Sequence, residues 1–222
     1  MSTATAGRCN IVVLISGSGS NLQAIIESVA AQTIPATIAA VVSNKPDAYG
    51  LTRARQAGIP TEVLQYEGFA SREDYDQALI KCIDQYQPKL IVLAGFMRIL
   101  SDAFVDHYTG RMMNIHPSLL PKYKGMNTHQ RVLDAGETEH GATVHFVTPE
   151  LDSGPIILQA PVPINSNDTA DSLAVRVHTA EHKIYPLAVQ WFAEKRLRLE
   201  NNTVMLDNRP MTDAERKLPN IS

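Results

Sequence analysis

The chain has 222 residues, 44% of them hydrophobic and 19% charged, with 20 basic against 23 acidic side chains and a net charge of −3. This excludes a wholly disordered chain, gives no global field toward nucleic acid or an anionic membrane, and leaves no apolar run near the ~20 residues of a membrane span. Two distant cysteines, Cys9 and Cys82, have no metal-type spacing and indicate a reduced, cytoplasmic protein.

Residues 1–9 read as a flexible polar tail. Asn10–Ile15 is a short β-branched run and predicts a buried strand. Apolar Leu22, Ile25, Ile26 and Val29 fall at helical spacing and predict a helix over 20–31. A strand over Ile38–Ser43, a short helix over 49–57 and a strand over Thr61–Gln65 follow. Ser71–Tyr86 predicts a helix with Ser71 as N-cap and Asp74 three residues on. Leu90–Ala94 and Arg111–His116 predict two more strands, the latter stopped by Pro117. Thr143–Thr148 alternates, and Pro155–Val162 reads as a strand running to Pro163. A long helix is expected over Thr169–Lys195, kinked or restarted at Pro186. The alternation of strand and helix predicts a single α/β domain over 10–207, mostly parallel and twisted, covered by helices on both faces, with a mixed C-terminal part. Residues 208–222 read as a polar tail that frays.

Ligands of such sheets bind beyond the carboxyl ends of the strands. Ser16-Gly-Ser-Gly-Ser-Asn21 sits at one such end. Its glycines and the following helix start suit a phosphate. It carries no Lys for a P-loop and lacks the third glycine of a dinucleotide fingerprint, so a mononucleotide phosphate fits better. The alternative is a plain turn with Ser20 as helix cap. Asn114 and His116 are two apart on a strand and share a side. Asn offers a neutral donor to a developing oxyanion and His moves protons near neutral pH; the alternative is a polar strand end. Asp152 lies in a turn-rich loop, where it either orients His116 or makes an Asx turn. Glu181 shares the apolar face of the long helix and needs a ligand or a protein partner. Gly95–Leu100 suits a flat heteroaromatic ligand or is plain core with a surface Arg98. The remaining histidines, His145 among them, show no metal spacing and read as ordinary.

Together, Asn114-Ile-His116-Pro-Ser-Leu-Leu-Pro121, Lys122-Tyr-Lys-Gly125 and Leu151-Asp152-Ser-Gly-Pro155 resemble the signature of the folate-dependent formyltransferase family. Ile15–Gln23 and Ala94–Leu100 make the chain similar to the branch acting on glycinamide ribonucleotide, over residues 10–200 or so. The resemblance implies a Rossmann-like formyltransferase fold. It also implies transfer of the formyl group of 10-formyltetrahydrofolate, a co-substrate, to the substrate amine in purine biosynthesis, with no metal. It implies catalysis by Asn114, His116 and Asp152. Gly19, Ser20, Asn21, His178, Thr179, Ala180 and Glu181 would bind the ribonucleotide. Arg72, Met97, Arg98, Ile99, Leu100, Asn114, Thr148, Pro149, Glu150, Leu151 and Asp152 would bind folate. Partners would be small molecules only, with no nucleic acid or membrane, and the protein a monomer or weak homodimer. Lys124 stands where the family often has Pro, Asn127 takes the place of the first His of a pair, and Ser153 stands for a common Gly. The rivals are a tRNA formyltransferase, expected to have a further C-terminal domain and a basic surface, and a formyltetrahydrofolate hydrolase, expected to have an N-terminal regulatory domain. A noncatalytic nucleotide-binding module is the third.

Overall fold

The computed structural model describes residues 8–218; residues 1–7 and 219–222, which the sequence assigns to the two tails, lie outside the described residues. Strands are β1 (Cys9–Ile15), β2 (Ala36–Ser43), β3 (Thr61–Val63), β4 (Leu90–Leu93), β5 (Met112–His116), β6 (Glu139–Phe146), β7 (Ile156–Pro163), β8 (Leu197–Glu200), β9 (Thr203–Leu206) and β10 (Arg209–Pro210). Helices are α1 (Ser20–Ala30), α2 (Tyr49–Gln56), α3 (Arg72–Asp84), α4 (Asp102–His107), α5 (Thr128–Asp134), α6 (Ala170–Ala193) and α7 (Asp213–Arg216).

Seven strands form one sheet in the order β3-β2-β1-β4-β5-β6-β7. The first five pair in parallel, whereas β6 and β7 run antiparallel. On β1, Ile11, Val13 and Ile15 enter a core shared with α1, α2 and α6. Val12 and Leu14 enter a second core that includes Tyr75 and Leu79 of α3 and Phe104 of α4. All five β1 residues are fully buried, each worth about 1.5–3 kcal/mol. A strand apolar on both faces is what a centrally placed parallel strand requires.

Ser71 caps α3 as expected, its hydroxyl accepting from the Asp74 N–H at 3.1 Å. Four expectations are corrected. α6 does not restart at Pro186: one helix runs through it, with Pro186 buried, its packing outweighing the one lost hydrogen bond. β6 begins at Glu139 rather than Thr143, because β7 pairs with it as far as Pro163. The short helices α4 and α5 escape the periodicity because six or seven residues carry too few apolar positions. As far as residue 218 the segment after Asn208 does not fray: β10 pairs with β9, Thr212 caps α7, and Met211 is 4% exposed in the core. One buried methionine and the half-buried Leu218 dock a polar segment onto the domain. No helix among the described residues is long and apolar enough to cross a membrane.

Candidate active site

The cradle at the end of β1 is made by main chain. Gly19 is the N-cap of α1 in the left-handed region at φ 70°, so Ser20 begins the helix and caps nothing. A Cβ on Gly19 would stand 2.6 Å from the Gly50 Cα of α2. The loop is held from that side: the Gly50 N–H donates to Gly17 O at 3.0 Å, and Arg53 Nε donates to Ser18 O at 2.9 Å. From the other side, Ser16 Oγ donates to Asn44 Oδ1 at 2.5 Å and accepts from the Met97 N–H at 2.8 Å. The backbone N–H groups of the first helical turn remain available to an anion.

Glu181 is 3% exposed, as its place on the apolar face of α6 implies. Its partner lies in the same chain: Asn21 Nδ2 donates to its carboxylate at 2.8 Å. Burial pushes the Glu181 carboxyl pKa upward, against the Asn21 hydrogen bond and the nearby His178. Asn21 Oδ1 is buried and unpartnered among the described residues, an acceptor left facing a donor that the protein does not supply. His178 is exposed and stacks with His182 one turn on. Thr179 bonds back to Val175 O, and Ala180 packs in the core. A cavity of about 530 Å³ runs along the outer side of α1, lined by Ser20, Gln23, Glu27, Arg53 and His182 among others. The residues around Asn114 do not line it.

The second group lies where β5 turns antiparallel to β6. That register sets Asn114 opposite His145 and His116 opposite Thr143. Asn114 Nδ2 lies 3.2 Å from His145 Nε2. His145 Nδ1 lies 2.8 Å from Phe146 O, a pure acceptor, so Nδ1 carries the proton and Nε2 accepts from the amide. Burial pushes the His145 pKa down and keeps it neutral. One Asn114 amide hydrogen is thereby fixed and the other stays free.

His116 Nδ1 lies 3.5 Å from Asp152 Oδ2, and Asp152 Oδ1 lies 3.9 Å from His145 Nε2. Asp152 also accepts from the Gly125 N–H at 2.9 Å, with φ 48° and 9% exposure. It is a buried acid held among histidines, not a solvent-facing Asx turn. Gly154 makes this placement: a Cβ there would stand 1.7 Å from Phe146 O. Only a glycine lets the loop come so close to β6.

His116 is less open than a strand end turned by Pro117 implies. It is 6% exposed, because the 121–127 segment folds over it and Tyr123 O takes its Nε2–H at 2.9 Å. The segment is fastened outward by Arg131 to Lys124 O at 2.7 Å and inward by Lys124 Nζ to Glu150 at 3.3 Å and to Ser153 Oγ. Two positions at which this chain departs from the family pattern, Lys124 and Ser153, are therefore bonded to each other. Under the pair, Tyr185 of α6 places its hydroxyl 2.9 Å from Leu93 O and 3.0 Å from Met113 O, tying the helix to β4 and β5.

Of the residues assigned to folate, Met97 and Ile99 are each 62% exposed and Leu151 54%. Three exposed aliphatic side chains on the loops that follow β4 and β6 suit a flat ring. Leu100 is buried, and Arg98 stacks 3.7 Å over Tyr66 and 4.8 Å over Tyr75. Arg72 is exposed and pairs with Glu73 at 3.5 Å. Thr148 bonds to Glu150 O at 3.4 Å, and Pro149 is exposed. The residue that sequence reasoning missed is His145. Its signal was available only as its place on an alternating strand, since nothing local ties it to Asn114. Among the described residues no group of three or more His, Cys, Asp or Glu side chains is placed to hold a metal.

Comparison with known proteins identifies the family. The family described as Formyl transferase matches residues 9–189. The chain is 60% identical over 198 residues to the phosphoribosylglycinamide formyltransferase of Escherichia coli, covering 89% of this chain and 93% of that one. It is 46% identical over 195 residues to the human trifunctional purine biosynthetic protein adenosine-3, covering 88% of this chain and 19% of that one. The solved phosphoribosylglycinamide formyltransferase of Coxiella burnetii superposes with a TM-score of 0.91 at 56% identity, covering 96% of this chain and all of that one. A formyltetrahydrofolate deformylase from Pseudomonas putida shares the fold at a TM-score of 0.82 but only 26% identity, covering 92% of this chain and 72% of that one. The chain belongs to the formyl transferase family and, within it, to the phosphoribosylglycinamide formyltransferases.

Proposed function

We propose that this enzyme transfers the formyl group of 10-formyltetrahydrofolate to the amine of N1-(5-phospho-D-ribosyl)glycinamide, in the cytoplasm and on small molecules alone. The single observation that carries the reading is the set formed by half-buried Asn114 and buried His116, His145 and Asp152, linked at 3.2, 3.5 and 3.9 Å.

The folate supplies a formyl carbon open to an amine. As the amine adds, the formyl oxygen takes on negative charge. The free Asn114 amide hydrogen and the His116 imidazolium meet that charge. His116 gives its proton to the departing nitrogen and then takes one from the attacking nitrogen, directly or through a water beside Asp152, a role worth about 10²–10⁴ in rate. Asp152 holds the imidazolium by charge, and His145 holds the amide so that its remaining hydrogen points one way. For His116 to reach substrate, Tyr123 O has to release its Nε2–H, so the 121–127 segment moves in each cycle.

At the other end, the N–H groups after Gly19 take the phosphate. Asn21 Oδ1 and the readily protonated Glu181 take ribose hydroxyls. The exposed side chains of Met97, Ile99 and Leu151 flank the folate ring.

The test is incubation with 10-formyltetrahydrofolate, with and without the ribonucleotide, following tetrahydrofolate release. Release that requires the amine, with formylated product, is expected. Release without it would make the enzyme a hydrolase, and none in either case would leave a binding module.

A further inference from the structure

At the opposite end of the sheet from the cleft, where β1, β4 and β5 begin, the main sheet meets the β8–β9 hairpin and the end of α6. A cavity of about 480 Å³ opens there, within the size range of ligand sites. Four cations line it, Lys89, Arg111, Lys195 and Arg198, and no carboxylate does. This occurs in a chain with an acidic balance of −3. Its remaining lining is largely apolar, with Phe192, Leu197 and Leu199 in the wall.

The fold accounts for some of these charges. Arg111 donates to Pro88 O and His107 O at 3.2 and 3.1 Å, and Arg198 to Glu200 at 2.6 Å and Asn208 at 2.7 Å. Lys89 and Lys195 make no side-chain hydrogen bond or ion pair among the described residues. Their presence is not explained as support for the end of α6 either. The N–H groups of Glu194, Lys195 and Arg196 already take the terminal carbonyls of Gln190, Phe192 and Trp191. Lys195 moreover occupies the residue after the helix cap at φ 61°, where glycine is the unstrained choice. Like charges gathered around one cavity repel, and the natural offset is an anion between them.

We propose that this cavity binds a small phosphate-bearing ligand with more than one negative charge, its phosphates among the four cations. An apolar portion, where the ligand has one, lies against Phe192 and Leu199. A nucleoside diphosphate and free pyrophosphate share this chemistry, and the two are separable by measurement.

The experiment is titration calorimetry of the full enzyme with ADP and, separately, with pyrophosphate, at 0.15 M salt. The glycinamide ribonucleotide is present at saturation so that the phosphate cradle is filled. A saturable one-to-one heat is expected, weakened at least about tenfold in Lys89→Glu/Lys195→Glu, with formyl transfer by that variant unchanged. ADP binding tighter than pyrophosphate assigns the apolar wall to a nucleoside, and equal binding assigns the site to free phosphates; both support an anion site. No saturable heat with either probe, or heat that the double variant leaves unaltered, overturns the proposal.

Discussion

Around Gly19 the binding groups are main-chain N–H groups, positioned by one glycine lying against another. Around Asn114 they are four side chains that hold one another. The first arrangement presents little that a side-chain truncation would remove, but it fails if the backbone is pushed aside. The second survives small backbone shifts less visibly, yet each member fixes the tautomer, charge or rotation of its neighbour. A phosphate needs many donors of modest individual strength, whereas a reacting carbon needs one proton carrier and one oxyanion donor in fixed places.

The largest effect that would break this contrast is at His116. His116→Ala is expected to lower kcat by about 10²–10⁴ with KM for the ribonucleotide little changed, measured by steady-state kinetics. Near-normal turnover would remove the side-chain end from the chemistry. Gly19→Ala should act in the opposite manner. Its left-handed φ and its contact with Gly50 displace the loop, and a loss of about 2 kcal/mol appears as a rise in KM for the ribonucleotide with kcat largely kept.

His140 sharpens the comparison through pH. It lies 3.0 Å from His129, and burial pushes its pKa down to about 4, with the His129 and His116 charges adding to the effect. The folded protein therefore takes up this proton only near pH 4, the unfolded chain near its ordinary value of 6.5. The stability contributed is whole above 6.5 and is lost as pH falls toward 4, on the order of 2–3 kcal/mol. Thermal unfolding at pH 7.5 and 5 should show a steeper decline for the wild type than for His140→Gln.

A smaller effect is expected at His145. His145→Phe leaves the Asn114 amide without its acceptor, at about 1–2 kcal/mol. The cost should appear in kcat more than in either KM. The smallest concerns the Lys124–Ser153 bond. A double-mutant cycle on Lys124→Ala and Ser153→Ala should give a coupling of about 0.5 kcal/mol in kcat/KM, and a coupling of zero would detach the 121–127 segment from the Asp152 loop.

Much of this protein was legible along the chain. The buried strand at Asn10–Ile15, the glycine-rich turn after it and the Asn114/His116 pair are local patterns, fixed by a period of two or by residues adjacent in sequence. The acid on the apolar face of α6 was visible as an anomaly, because helical spacing put Glu181 in line with Val177 and Ile184. What relieved it was not, since Asn21 is 160 positions away. A separation of 31 positions hid His145, which meets Asn114 only because β6 turns antiparallel and sets the two opposite each other. The polar stretch after Asn208 misled for a related reason: only Met211 and Leu218 dock it, and two isolated apolar residues make no pattern. Period, capping and turn chemistry act between neighbours in the chain and therefore show in the sequence. Strand register, the closing of Tyr123 over His116 and the approach of Gly154 to β6 depend on which distant surfaces pack together, and only the tertiary structure decides that.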